Sequence, residues 1–230
     1  MSNIYLIRHG QASFSANDYD QLSALGVKQA TLLSQAFEHK GLSPDVAIRG
    51  SMLRHQQTAQ HSLTQFGDIA IEVDSRWNEY DHQNILGVYN PEFATPQGIR
   101  QFLANEPQPM KAFKHHFVTA MDQWMSSDNS AYSESWHEFN QRIEQALGDV
   151  AVKHHGKDVI IFSSGGPISL IACSLLGMNL QQFMTINWSL VNGGITKIQT
   201  RSGGKKLSLS TLNEHDVFER ELTQQLITYT

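Results

Sequence analysis

The apolar run Ile4-Tyr5-Leu6-Ile7 ends abruptly in Arg8-His9-Gly10, and no other stretch constrains the chain so tightly. Four such residues in succession fit a short strand buried in the middle of an α/β sheet. A cation and an imidazole then stand at its carboxyl end, the edge at which open α/β sheets bind ligands. Glycine lets the backbone turn there and lets a ligand come close to the main chain. Arg8 favours an anionic oxygen partner, and His9 could serve as base, metal ligand or nucleophile.

The 230 residues suffice for one large α/β domain or two small ones. A formal net charge of -5 gives no general attraction to nucleic acid or anionic lipid, so any anion site must be a local cluster. The single cysteine, Cys173, cannot form an internal disulfide, and within the apolar run Ile168 to Leu176 it reads as a core residue. No apolar stretch approaches the roughly 20 residues of a membrane helix. The first residues lack both the cationic start and the apolar core of a signal peptide. These features predict a soluble, cytoplasmic protein with neither a nucleic-acid nor a membrane partner.

The remaining elements follow from periodicity and punctuation. Gln11 to Asp20 has no period and reads as a loop. Ser23 is the expected N-cap of a helix whose buried side carries Val27, Ala30, Leu33 and Phe37, ended by Gly41 and Pro44. Asp45 to Ile48 reads as a strand, followed by a helix carrying Leu53, Ala59, Leu63 and Phe66 and closed by Gly67. Ile69 to Val73 alternates like a third strand. From Arg76 to about Ser135 the pattern loosens, three of the six prolines fall between Pro91 and Pro107, and Phe113 to Met125 is the clearest helix. A long helix is expected from about Glu134 to His155 on the stripe Trp136, Phe139, Ile143, Leu147 and Val150, with His154 and His155 exposed at its end. Val159 to Phe162 is a further buried strand, leading through Ser163-Ser164-Gly165-Gly166-Pro167 into a helix over Ile168 to Leu176. Ile195 to Gln199 and Leu207 to Leu212 flank Ser202-Gly203-Gly204-Lys205, a hairpin signal. The whole reads as a single domain, residues 1–230, with an insertion at about residues 85–135 over the strand ends.

Four turns thus offer polar groups that one phosphoryl group would account for: Arg8-His9-Gly10, Arg54, Glu79, and Ser164-Gly165-Gly166. Guanidiniums match phosphate oxygens in bidentate fashion, and a glycine-flanked helix start supplies backbone donors. A neutral His9 could attack phosphorus, and a protonated Glu79 could supply the leaving oxygen's proton. Taken singly, Arg54 and Glu79 would fit an ordinary ion pair.

Taken together, the blocks resemble the histidine phosphatase superfamily, the phosphoglycerate mutase-like enzymes. They are Leu6-Ile7-Arg8-His9-Gly10-Gln11, then Leu22-Ser23-x-Leu25-Gly26-x-x-Gln29-Ala30, then Met52-Leu53-Arg54-x-x-Gln57-Thr58-Ala59 and Asn78-Glu79. Ile160 to Ile168 and Leu212-Asn213-Glu214 complete the set, in family order. The resemblance implies a three-layer α/β/α fold with a mostly parallel central sheet and a cap insertion. It also implies a phosphohistidine on His9, a phosphate pocket that includes Arg8, Arg54, Ser164 and Gly165, Glu79 as proton donor, and no metal or organic cofactor. The substrate would be a phosphorylated small molecule or a phosphoprotein, and the protein a monomer or homodimer.

Two departures stand out. Most relatives carry a second histidine where this chain has Ser164, and losing a charged donor from such a pocket costs about 3–4 kcal/mol of transition-state stabilisation. His82, in Glu79-Tyr80-Asp81-His82, is the expected substitute, with Asp81 or a backbone carbonyl orienting it. In Ser13-Phe14-Ser15, where many relatives place a phosphate-binding asparagine, Ser15 or Ser13 would substitute. The alternatives are a weakly active phosphatase-like protein that binds a phosphorylated partner, and a phosphoglycerate mutase-type phosphotransferase. A serine hydrolase fits poorly, because Ser163-Ser164-Gly165-Gly166 lacks the glycine that precedes the nucleophile in an elbow turn.

Overall fold

In the computed structural model the opening run becomes strand β1 (Ser2–Arg8). Five more strands are β2 (Val46–Arg49), β3 (Ile71–Val73), β4 (Val159–Ser163), β5 (Ile195–Arg201) and β6 (Lys206–Glu214). The structure describes residues 2–13, 20–67, 69–127, 130–220 and 224–229. Among these residues the strands form one sheet in the order β3-β2-β4-β1-β5-β6. β1 pairs in parallel with β4, Arg8 opposite Ser163, and β4 pairs in parallel with β2, Arg49 opposite Phe162. The carboxyl ends of these three strands therefore share one edge. β5 runs antiparallel to β1, and β6 antiparallel to β5, so the sheet is parallel only on the side that carries the polar turns.

The helices are α1 (Ala24–His39), α2 (Leu53–Ser62), α3 (His82–Tyr89), α4 (Pro96–Ala104), α5 (Pro109–Ser126), α6 (Trp136–Lys153), α7 (Gly165–Leu176), α8 (Leu180–Ser189) and α9 (Asp216–Arg220). Ile7, Ala47, Ile160, Phe162 and Ile195 point to one face of the sheet and pack with Leu33 and Phe37 of α1, Ala59 of α2 and Phe218 of α9. The intervening residues Ile4, Leu6, Ile48, Ile161 and Ile198 are buried as well, so both faces are covered. That is why the strands read as continuous apolar runs rather than alternations. Ser23 caps α1 as expected, its hydroxyl accepting from the Gly26 N–H at 3.0 Å.

The chain divides into two compact units. The first, residues 1–79 and 143–230, holds the sheet. The second, residues 80–142, is spliced in directly after Glu79. Inside it the Tyr80 ring lies 5.2 Å from Trp124 and 5.7 Å from Phe139, and Trp124 lies 5.1 Å from Trp136. A second aromatic group joins Phe93, Phe102 and His116, and the Tyr89 hydroxyl is 2.8 Å from His116 Nδ1.

Several expectations need correction. The third strand is only Ile71–Val73. α5 extends from Pro109 to Ser126, and α3 and α4 occupy ground where the apolar pattern is loose; Pro96 and Pro109 stand in the first turns of α4 and α5, where a missing N–H costs nothing. α7 begins at Gly165 rather than Ile168, taking Pro167 into its first turn. His154 is buried, 8% exposed, and its imidazole stays neutral because burial pushes its pKa down. No helix among the described residues is long and apolar enough to cross a membrane.

Candidate active site

The shared edge of β1, β4 and β2 releases three turns at nearly the same level, and the sheet ladder continues one residue into them. The His9 N–H donates to Ser163 O at 3.0 Å, and the Gly50 N–H donates to Phe162 O at 3.1 Å. His9, Ser164 and Gly50 are thereby fixed side by side.

His9 is 7% exposed. Its Nδ1 lies 2.7 Å from Gly10 O, and since a carbonyl can only accept, Nδ1 carries the hydrogen. The lone pair of the neutral ring is then on Nε2. Burial holds the His9 pKa well below the usual imidazole range, and the charges of Arg54, His55 and Arg8 push it the same way. Gly10 permits this turn, since a Cβ there would stand 2.5 Å from Gly26 O of α1. Its N–H donates to Thr58 Oγ1 at 3.1 Å, tying the turn to α2.

Both predicted arginines are buried, Arg8 at 8% and Arg54 at 5% exposure. Arg8 donates from Nη1 to Leu190 O. Arg54 pairs from Nη1 with Asp20 Oδ1 at 2.9 Å, while Asp20 Oδ2 accepts from the Leu53 N–H at 2.6 Å. Asp20 thus also serves the first turn of α2, where a negative charge is favoured. Arg54 Nε is buried with no hydrogen-bond partner among the described residues, a donor suited to an incoming anion.

Glu79 closes the group from the third side. Both its carboxylate oxygens lie 3.1 Å from the Gly166 N–H, at the start of α7. The helix start read from sequence as an anion site therefore meets the Glu79 carboxyl group in the ligand-free protein. Gly165 is buried as the first residue of α7. Ser163 is turned away from the group, donating from Oγ to Trp77 O at 2.7 Å.

Ser164 Oγ lies 2.7 Å from Nε2 of His55, a fully buried histidine whose ring centroid is 5.8 Å from that of His9. Sequence reasoning missed it. The buried face of α2 is Arg54, His55, Thr58, Ala59 and Ser62, so its inward residues are mostly polar and an apolar period cannot reveal them. Their spacing of three and four was the available signal.

His82, the expected substitute, opens α3 in the second unit. The Asp81 side chain caps α3, accepting from the Asn84 N–H at 3.0 Å. Ser13 N–H donates to Gln21 O, and Ser15 lies outside the described residues. No cluster of three or more His, Cys, Asp or Glu side chains suited to a metal ion occurs among the described residues. The surface cleft lined by Gln35, His39, Lys40 and Asp216 contains no member of the group around His9.

Comparisons with known proteins place the chain in a family. The model of the histidine phosphatase superfamily, branch 1, matches residues 4–213. A protein of Hydrogenobacter thermophilus named as a phosphoserine phosphatase is 27% identical over 223 residues, covering 93% of this chain and 96% of its own. The α-ribazole phosphatase of Shigella flexneri superposes with a TM-score of 0.67 at 20% identity, over 92% of this chain and 96% of that one. A phosphoglycerate mutase from Bacillus anthracis gives 0.65 at 17% identity, over 95% and 96%. The two structural likenesses speak for the fold alone. The match over nearly the full length, together with Arg8, His9, Arg54 and Glu79 gathered at one sheet edge, makes this chain a member of the histidine phosphatase superfamily.

Proposed function

We propose that the protein is a phosphomonoesterase that works through a phosphohistidine on Nε2 of His9. The observation that carries this reading is a neutral, buried imidazole whose Nδ1 is committed to Gly10 O, with two buried guanidiniums close enough to depress its pKa. Such a ring is an available nucleophile, and its neighbours are complementary to a phosphoryl group.

In the first step the Nε2 lone pair bonds to phosphorus while the ester P–O bond breaks toward the leaving oxygen. Glu79 delivers its proton to that oxygen and becomes the carboxylate. Arg8 and Arg54 hold the equatorial oxygens, assisted by Ser164 Oγ and the Gly165 backbone, with Ser15 reserved for the same oxygens. In the second step water attacks phosphorus, its proton passes to Glu79, and the N–P bonding pair returns to Nε2. Free phosphate leaves, and both His9 and Glu79 regain their starting states.

The substrate class is a phosphorylated small molecule, in line with relatives whose names specify phosphoserine and α-ribazole phosphatases. The unit at residues 80–142, joined directly to Glu79, is the part of the chain to which we assign substrate choice. The buried, unpaired Cys173 suits a reducing, cytoplasmic setting.

The test is phosphate release from a panel of phosphomonoesters by wild type and His9→Ala. The reading expects turnover by wild type and a loss of roughly a thousandfold or more in the variant. Equal rates in the two proteins would overturn it.

A further inference from the structure

The mechanism leaves unused a buried ionisable group that touches the site. His55 is fully enclosed, its Nε2 is engaged with Ser164 Oγ at 2.7 Å, and its Nδ1 is buried with no partner among the described residues. An apolar ring of the same size would fill that space without burying an unsatisfied nitrogen, which is costly. The backbone is shaped to admit the imidazole. A Cβ on Gly50 would come 2.2 Å from His55 Nδ1, so only glycine leaves room at the end of β2. Ser164 is the small partner on the other side, one residue beyond β4.

From this geometry we infer that His55 and Ser164 act as one composite donor to the phosphoryl group, with His55 as a positioning residue behind the serine hydroxyl. A serine has one hydrogen to give. If it gives it to His55, nothing remains for a phosphoryl oxygen. If instead His55 Nε2–H donates to Oγ, the hydroxyl hydrogen is free to point at the phosphoryl oxygen, and the hydroxyl is polarised by the ring behind it. In that tautomer the buried Nδ1 lone pair can take up the proton that a phosphomonoester monoanion releases through solvent as it becomes a dianion between Arg8 and Arg54, so His55 supplies the positive charge that a serine lacks. The groups that face His55 in the ligand-free protein are cationic or neutral: Arg54, Arg49 and His9. Burial and the two arginines keep it neutral until an anion enters. On this view the second histidine expected at position 164 is replaced by one on α2, and His82 is not required for the role. The inference rests on the phosphatase reading.

The experiment compares wild type, Ser164→Ala, His55→Phe and the double variant, with p-nitrophenyl phosphate as substrate and orthovanadate as inhibitor. Ser164→Ala removes one oxygen but leaves His55 Nε2 buried without that partner, so folding of each variant is checked by circular dichroism before its kinetics are compared. We expect each single variant to lower kcat by roughly a hundredfold with a smaller change in KM, and to weaken vanadate inhibition. The double variant should lose little more than either single one, because the two side chains act as a unit. His55→Gln keeps a neutral donor without the charge, and should fall between wild type and His55→Phe. A wild type that depends on His9 but is indifferent to Ser164→Ala and His55→Gln would overturn the inference and leave the phosphatase reading intact. Losses that multiply in the double variant, or a loss in His82→Ala unmatched by the His55 variants, would overturn it too. If wild type itself were inert, orthovanadate binding followed by calorimetry would decide: weaker binding in Ser164→Ala and His55→Gln supports the composite donor, and unchanged binding refutes it.

Discussion

An imidazole in water changes charge near pH 6.5. His9 does so well below that, because it is buried and flanked by Arg54, His55 and Arg8. The same setting that makes it a poor base toward protons keeps its Nε2 lone pair available for phosphorus. In the proposed mechanism Glu79 has the complementary task, and its contribution depends on the leaving group. Glu79→Gln preserves an acceptor for the Gly166 N–H but has no acidic proton to give. The variant should lose on the order of a hundredfold or more in kcat on alkyl phosphates, whose alkoxides need a proton. On p-nitrophenyl phosphate, whose phenolate leaves unaided, the loss should be small. Comparing the two substrates in one assay checks the assignment, and equal losses on both would contradict it. Arg8, His9, Arg54 and Glu79 were legible in the sequence because each follows an apolar strand or stands in the turn beyond one. His55 was not, since it faces inward among the polar residues Arg54, Thr58 and Ser62. Asp20, which fixes Arg54, was read as an unremarkable loop residue.

At the scale of elements, legibility followed how local each signal is. α1 could be placed from Ser23 and its apolar stripe, since both cap and period lie within a few turns. The hairpin between β5 and β6 could be placed from Ser202-Gly203-Gly204, three residues that all adopt positive φ. The stretch beyond Arg76 misled because proline marks both loops and helix starts. Pro91, Pro96 and Pro109 each open a helical turn, with the Asn90 and Thr95 side chains capping the first two. The start of α7 was misplaced for a related reason. Two glycines read as a loop, but the Gly166 N–H is held by Glu79, and that bond comes from a residue 87 positions away. α2 carries the largest share of the site, with Arg54 and His55 on adjacent positions of its first turn and Thr58 one turn on.

For the molecule as a whole, the parallel character of the sheet was legible from its apolar strands, but the pairing of β1 with β4 joins residues far apart in the chain and leaves no local trace. Burying imidazoles has a global consequence. His9, His55 and His154 all have folded-state pKa values below that of a free imidazole, chiefly through burial. Between the folded values and about 6.5 the unfolded chain binds more protons than the folded one, so stability is full above that range and falls as pH drops through it. Each such histidine contributes a slope of up to about 1.4 kcal/mol per pH unit. Urea unfolding at pH 7.5, 6.5 and 5.5 should therefore show a midpoint that falls in the lower interval, with a shallower fall in His55→Phe. The carboxylates with lowered pKa, Glu72, Asp74 and Glu214, lose their contribution only at more acidic pH and cannot produce that fall. A midpoint flat from 7.5 to 5.5 would contradict the neutral state of these rings. The most direct measurement of the central claim is a rapid alkaline quench of the enzyme turning over a phosphorus-labelled monoester, followed by mapping of the label. The account predicts a protein-bound label, stable in alkali and lost in acid, on the peptide that contains His9, and absent from His9→Ala. Turnover with no label on that peptide, or with the label on another residue, would contradict it.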